Sequence, residues 1–189
     1  MNYWILINIK QKEIFDIIEK SNKNEFLLYW VTGSGKTEIY INLIKKYLDL
    51  WKQTLLLVPE IILTNQIANR ISHIFWDDVI ILNSTISQAE KTKIFNDIHQ
   101  NQAKIIVWTR SALFYPYSDL GLIIIDEEHD NSYISDSAPR YDWIDIAYLL
   151  AKHTNSKLVL WSWTPKINHF YDWLKWKYEV LHLFNEYEK

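Results

Sequence analysis

Apolar segments of strand length alternate with segments of helix length along almost the whole chain. Seven apolar runs, rich in Ile, Leu and Val, predict buried strands at residues 26–31, 54–58, 79–82, 104–107, 120–125, 157–160 and 178–183. Helices are predicted at residues 10–20, 36–50, 63–75, 88–100, 143–153 and 167–175. Apolar, β-branched runs separated by helices are typical of a parallel sheet that is covered on both faces. The predicted fold class is therefore α/β, a doubly wound, mostly parallel sheet with helices on both faces.

The composition excludes several other classes of protein. The 189 residues suit one domain, predicted to span residues 1–189, and 49% hydrophobic residues exclude a disordered chain. The chain has no cysteine, no apolar run long enough to span a membrane and no secretory signal. We therefore expect a cytoplasmic protein with no membrane partner and no zinc in this segment. The net charge of −3 gives no basic surface, so any nucleic-acid function must be argued from motifs.

A phosphate-binding loop is predicted between the first strand and the helix that follows it. The motif TGSGKT at residues 32–37 stands in the strand–loop–helix context that such a loop requires. In that context backbone N–H groups and Lys36 bind the phosphates, and the Thr37 hydroxyl binds Mg²⁺. The alternative is a glycine–serine turn with a solvated lysine. The predicted nucleotide-binding residues of this loop are Trp30, Val31, Thr32, Gly33, Ser34, Gly35, Lys36 and Thr37.

A second motif places acidic residues at the end of an apolar strand, at residues 126–128. In open α/β sheets, ligands bind at the carboxyl ends of the strands. Asp126 is suited to hold Mg²⁺, and Glu127 is suited to orient and deprotonate the water that attacks the γ-phosphate. The alternative is an acidic turn at the surface. We expect this strand to neighbour the strand that precedes the phosphate-binding loop. The predicted catalytic residues are therefore Lys36, Asp126 and Glu127.

Several further segments accompany the two motifs, namely VPEI at 58–61, TRSALF at 109–114, DEEH at 126–129, residues 130–133 and PRY at 139–141. With these segments the chain resembles the PriA family of replication-restart helicases, also called primosomal protein N′. The resemblance runs from residue 8 to residue 183 and covers only the first RecA-like lobe. The family's amino-terminal DNA-binding region, second lobe and zinc insert have no counterpart here, so we expect a fragment.

The resemblance implies a function. It implies an ATP-binding lobe of a 3′-to-5′ DNA helicase, which uses ATP and Mg²⁺ in replication restart and primosome assembly. The implied partners are branched or single-stranded DNA, the second helicase lobe and primosome proteins. Two alternatives stay open, namely another DEAD/DEAH-like ATPase that acts on nucleic acid and a nucleotide-binding fragment that is not a motor.

The resemblance also assigns roles to individual residues. Gln11 would contact the adenine, although an amide at a helix start is often a capping group. His129, Ser162 and Thr164 would couple the γ-phosphate site to DNA. The implied nucleic-acid contacts are Pro59, Thr109, Arg110, Tyr133 and Tyr141. The alternatives are that Arg110 is an ordinary surface cation and that the two tyrosines pack against their own domain.

Glycine and tryptophan usage is abnormal. The chain has 3 Gly and 10 Trp, whereas average usage of about 7% would give roughly 13 glycines. Trp30 stands where the full phosphate-loop pattern places its first glycine, a position at which a bulky side chain opposes the tight turn. The PriA family also carries glycine at Trp108 and Trp161, and usually a small residue at Trp163.

Other tryptophans stand where local structure favours glycine. Trp51 and Trp76 follow predicted helices, and Trp173 and Trp176 have turn-like spacing, whereas Trp4 and Trp143 follow neither pattern. Our hypothesis is that UGA codons, read here as Trp, are translated as Gly in the source organism. The alternative is ten real tryptophans in an unusually aromatic core.

Overall fold

Strands and helices alternate in the structure as the sequence predicts. A computed structural model describes residues 5–30, 35–59, 67–81, 86–135, 138, 140–166, 171 and 178–183. The strands are β1 (Glu25–Trp30), β2 (Gln53–Leu57), β3 (Val79–Ile81), β4 (Ile105–Trp108), β5 (Leu120–Ile125), β6 (Lys157–Ser162) and β7 (Glu179–Leu183). The helices are α1 (Ile9–Lys20), α2 (Lys36–Asp49), α3 (Ile67–Phe75), α4 (Gln88–His99) and α5 (Trp143–Thr154).

The seven strands form one sheet in the order β3-β4-β2-β5-β6-β1-β7. Every pair of neighbouring strands is parallel. The predicted parallel α/β fold is therefore confirmed. Strand β6 lies between β1 and β5, so the expectation that the phosphate loop and the acidic motif follow neighbouring strands is wrong by one strand. Local periodicity predicts where strands lie in the chain but not their order in the sheet.

Two apolar layers cover the faces of the sheet. Successive side chains of a strand point to opposite faces. In β5, Leu122 and Ile124 accordingly pack in the layer with α1, α2 and α3, whereas Ile123 and Ile125 pack in the layer with α5. All six residues of β5 are buried. This central strand therefore gives the residue that follows it, Asp126, a rigid support.

The predicted element boundaries agree with the structure to within two residues wherever both can be compared. The helix predicted at 63–75 begins at Ile67 in the structure, and its first four residues lie outside the described part. The helix predicted at 167–175 also lies outside it, apart from the helical Tyr171. Within the described ranges, no helix is long and apolar enough to cross a membrane.

Candidate active site

Lys36 joins the two predicted motifs. It is the first residue of α2, and its Nζ lies 2.7 Å from Asp126 Oδ1 and 2.5 Å from Glu127 Oε1. The Lys36 and Glu127 side chains are largely buried, and the Asp126 side chain is 1% exposed. One cation thus pairs with two carboxylates at the carboxyl edge of the sheet, even though β6 separates the strands that precede the two motifs.

The start of α2 has the geometry of an anion site. Gly35 precedes the helix with φ +78°, and no described side chain caps the first N–H groups. Uncapped N–H groups and the helix dipole favour a bound phosphate. Val31, Thr32, Gly33 and Ser34 lie outside the described residues, as does the Trp30 side chain. Thr37, the other predicted magnesium ligand, is the second residue of α2 and is half-buried.

Gln11 contacts the phosphate-binding segment directly. Its Nε2 donates to the Gly35 carbonyl at 3.0 Å, and its Oε1 accepts from the Asn8 N–H at 2.8 Å. The second bond completes a capping box at the start of α1, so Gln11 has the capping role that was the alternative to adenine contact. A Cβ at position 35 would lie 2.2 Å from Gln11 Nε2, so this contact requires glycine there. Adenine contact by Gln11 stays a prediction.

Asp126 is fixed by hydrogen bonds from three directions. Its N–H donates to the Leu57 carbonyl in β2 at 3.0 Å, and its carbonyl accepts from the Tyr133 hydroxyl at 3.0 Å. Its Oδ1 accepts from the Tyr40 hydroxyl at 2.7 Å as well as from Lys36. Sequence reasoning missed Tyr40, although its place one helical turn after Lys36 puts both side chains on one face of α2.

Both phenols at Asp126 stay protonated. Burial, and secondly the Asp126 carboxylate, raise the pKa of Tyr40 well above its usual range. The same two causes, in the same order, raise the pKa of Tyr133. Each hydroxyl therefore acts as a permanent donor at neutral pH.

The residues present fit a magnesium ion that is shared with a nucleotide. The Oδ2 atom of Asp126 is buried, and no donor among the described residues bonds to it. Mg²⁺ is typically bound by one or two carboxylates together with substrate phosphates, without an all-protein cage. Among the described residues, no group of three or more His, Asp or Glu side chains could hold a metal ion by itself. The Asp126 carboxylate and the Thr37 hydroxyl are oxygen groups of the kind that such an ion prefers, and their role as its ligands stays a prediction.

His129 connects the acidic motif with the end of β6. Its Nδ1 lies 3.0 Å from Ser162 Oγ, and its Nε2 lies 3.7 Å from Glu127 Oε2. The structure thus brings together two of the three predicted coupling residues. Thr164 is exposed and makes no hydrogen bond to either of them within the described ranges.

Arg110 contacts the loop that follows the acidic motif. It lies directly after β4 and Thr109, and its Nη1 donates to the Ser132 carbonyl at 2.5 Å. Its guanidinium carbon also lies 5.7 Å from the centre of the Trp143 ring. Arg110 is half-buried, which differs from the alternative of an ordinary surface cation.

One predicted nucleic-acid contact, that of Tyr133, needs correction. Tyr133 is 1% exposed and packs in the core, so the prediction that its ring stacks on a base is wrong. Its hydroxyl is used inside the domain, on the Asp126 carbonyl. Pro59 is buried just after β2, and its contact with nucleic acid stays a prediction. Tyr141 is half-buried, and its ring centre lies 4.9 Å from that of Trp143.

The chain is similar in sequence to replication restart proteins. The chain is 41% identical over 189 residues to the replication restart protein PriA of Rickettsia prowazekii, covering 99% of this chain and 29% of that protein. It is also 41% identical over 170 residues to PriA of Bacillus subtilis, covering 90% of this chain and 21% of that protein. The chain therefore spans less than a third of these relatives.

Solved helicase structures share the fold. The Hef helicase domain of Pyrococcus furiosus matches 95% of this chain and 38% of its own, with a TM-score of 0.69 and 22% identity. RecG bound to a three-way DNA junction matches 96% of this chain and 24% of its own, with a TM-score of 0.70 and 23% identity. The sequence model of the DEAD/DEAH box helicases matches residues 8–171. Because this match spans the phosphate-binding segment, the acidic motif and most of the sheet, we conclude that the chain belongs to the DEAD/DEAH box helicase family.

Proposed function

We propose that this chain is the ATP-binding lobe of a PriA-like 3′-to-5′ DNA helicase that acts in replication restart and primosome assembly. The observation that carries the proposal is the placement of Lys36 against Asp126 and Glu127 at the carboxyl edge of the sheet. The identity of about 41% to PriA proteins over nearly the whole chain supports the choice of this helicase type.

The proposed reaction is hydrolysis of ATP to ADP and inorganic phosphate. Lys36 and the first N–H groups of α2 bind the phosphates. Glu127 orients a water molecule and takes its proton as the water oxygen bonds to the γ-phosphorus and the bond to the β–γ bridging oxygen breaks. Asp126 and Thr37 hold Mg²⁺, which when bound neutralises charge on the β- and γ-phosphate oxygens.

DNA is the proposed macromolecular partner. We propose that it binds at the carboxyl edge of the sheet, where Arg110 follows β4. A series of contacts links this residue to the nucleotide site: Arg110 bonds to Ser132, and the adjacent Tyr133 bonds to the Asp126 carbonyl. We further propose that primosome proteins and a second helicase lobe complete the machine in the cytoplasm. In such motors the second lobe supplies an arginine worth about 10³ to 10⁵ in rate, so this chain alone hydrolyses ATP poorly.

Nucleotide binding by the purified chain tests the proposal. We expect a fluorescent ATP analogue to bind in the presence of Mg²⁺, and Lys36→Met to weaken that binding by at least tenfold. Hydrolysis by the isolated chain should stay far below that of a complete motor. Equal affinity of Lys36→Met and the parent chain for the ATP analogue would contradict the proposal. A rate of hydrolysis equal to that of a complete helicase would also contradict it. Comparing single-stranded DNA with RNA of the same sequence tests the choice of polymer.

We also propose that several tryptophans of this sequence are glycines encoded by UGA. Trp51 and Trp76 have positive φ values, 61° and 45°, a backbone conformation that strongly favours glycine over a bulky residue. Trp161 is fully buried, and its indole N–H has no acceptor within the described part of the chain. Trp108 and Trp161 lie in regular strands, so their backbone conformation favours neither residue.

The codons and the cellular protein decide between the two readings. UGA at the positions of Trp30, Trp51, Trp76, Trp108 and Trp161, with glycine masses in the corresponding peptides, is the expected result. Any other tryptophan codon at these positions refutes the recoding. A functional consequence is also measurable, because Trp30→Gly should bind ATP more tightly if the indole obstructs the phosphate-binding loop. Equal affinity of the two proteins would contradict that part.

A further inference from the structure

The Tyr40 hydroxyl occupies one oxygen of the Asp126 carboxylate. The hydroxyl lies 2.7 Å from Oδ1, which also accepts from Lys36 at 2.7 Å. The second oxygen, Oδ2, is buried and receives no hydrogen bond from the described residues. The two carboxylate oxygens are therefore not equivalent, and the bonding pattern sets the rotation of the carboxylate group.

Tyr40 is itself held rigidly. Its side chain is fully buried in the core layer, and it lies in the second turn of α2, which packs against β2 and β5. A donor on such a support holds its acceptor in one orientation at little cost in conformational entropy at the moment of binding. Lys36 contacts the same oxygen, but its cation is also the group that binds nucleotide phosphate in the proposed function. Tyr40 is a neutral donor, and in the proposed function it does not bind phosphate.

We propose that Tyr40 is a positioning residue for the magnesium-binding carboxylate, holding Asp126 Oδ1 so that Oδ2 is the oxygen available to the ion or its water. This inference rests on the proposed function of the site. Partners that orient metal-binding carboxylates commonly change metal affinity by about 10- to 100-fold when they are removed. A phenol that contributed only to core packing would not affect metal affinity selectively.

The test compares Tyr40→Phe with the parent chain. Binding of a fluorescent ADP analogue is titrated with Mg²⁺, and its affinity is measured separately in excess EDTA. We expect Tyr40→Phe to raise the half-saturating Mg²⁺ concentration about tenfold, with the affinity in EDTA unchanged within twofold. Tyr47→Phe is the matched control, because it removes a partly buried phenol from the same helix, away from Asp126, and should change neither value.

A double-mutant cycle with Asp126→Asn shows whether Tyr40 acts through Asp126. In the Asp126→Asn background, Tyr40→Phe should have no further effect on the Mg²⁺ titration. An unchanged half-saturation in Tyr40→Phe overturns the inference, as does an equal loss of affinity with and without Mg²⁺. If the parent chain binds no nucleotide, the proposed function fails and the inference falls with it. If the parent chain binds nucleotide and Tyr40→Phe leaves the half-saturating Mg²⁺ concentration unchanged, only this inference is rejected and the proposed function stands.

Discussion

Replacement of Trp51 by glycine should stabilise the chain, because Trp51 occupies a backbone position that suits glycine. The Trp51 N–H bonds to the Leu48 carbonyl and the Lys52 N–H bonds to the Tyr47 carbonyl, each at 2.9 Å. This pair of bonds defines the Schellman motif at the end of α2, with Trp51 at the left-handed position. Its φ of 61° lies in the region that costs an ordinary residue about 1 to 2 kcal/mol.

Trp51→Gly removes few contacts. The Trp51 side chain is 74% exposed, so little burial is lost. Its ring centre lies 5.5 Å from Lys104 Nζ, a cation–π contact worth about 0.5 to 1 kcal/mol at an exposed site. The difference between these two figures is a gain of about 0.7 kcal/mol at its midpoint, within a range of about 0 to 1.5 kcal/mol. In a chain of this length, each kcal/mol of added stability raises Tm by roughly 2 to 4 °C.

Thermal unfolding followed by circular dichroism measures this effect, and two controls separate it from a general response to glycine. Asn101 has φ 58° in an equivalent motif after α4, and asparagine tolerates this conformation, so Asn101→Gly should gain only a few tenths of a kcal/mol. Leu50 has φ −85°, and Leu50→Gly should lose about 0.5 to 1 kcal/mol. A Tm of Trp51→Gly at or below that of the parent would refute the argument.

Three further predictions concern the active site. Lys36→Met should lower the free energy of unfolding by about 3 kcal/mol in a urea titration, because it leaves the buried Asp126 carboxylate without its cation; an unchanged midpoint would contradict this. Arg110→Ala should weaken DNA binding and reduce the slope of log affinity against log salt by about one, whereas an unchanged slope would exclude a phosphate contact. Stability should fall as the pH rises above 10, since Tyr40 and Tyr133 have folded pKa values above that of the unfolded chain and ionise only on unfolding. Each contributes about 1.4 kcal/mol per pH unit, so Tyr133→Phe should reduce the slope, and equal slopes would count against the burial argument.

The sequence was sufficient to predict the elements and the pairing of two motifs. The runs that became β5 and β6 are apolar on both faces, and this pattern indicates a strand in the middle of a parallel sheet. The motif at Lys36 and the motif at Asp126 have opposite charges and follow strands, so their meeting at one edge could be expected. Sequence periodicity could not show that β6 separates these strands, since strand order depends on contacts between distant residues.

The contacts around the two motifs were less predictable. Tyr40 and Asp126 are 86 residues apart, and their hydrogen bond depends on how α2 rotates against β5. Tyr133 belongs to a polar segment, yet its side chain turns into the core, because a buried phenol can satisfy its hydroxyl on a backbone carbonyl. The family resemblance implied that this ring contacts DNA, whereas tertiary packing places it in the core.

The position of Tyr133 has a consequence for coupling in the proposed motor. A ring that stacked on DNA bases would respond to DNA by direct contact, whereas a buried ring would respond through Arg110, which bonds to the neighbouring carbonyl of Ser132. In the proposed motor, a phosphodiester that attracted the Arg110 guanidinium would therefore act on the loop whose Tyr133 hydroxyl donates to the Asp126 carbonyl. Because coupling between two binding sites is reciprocal, any factor by which DNA changes nucleotide affinity must equal the factor by which nucleotide changes DNA affinity. Tyr133→Phe should reduce this common factor, whether it is measured as the effect of DNA on nucleotide affinity or the reverse. An unchanged factor would show that the Tyr133 hydroxyl does not carry the coupling.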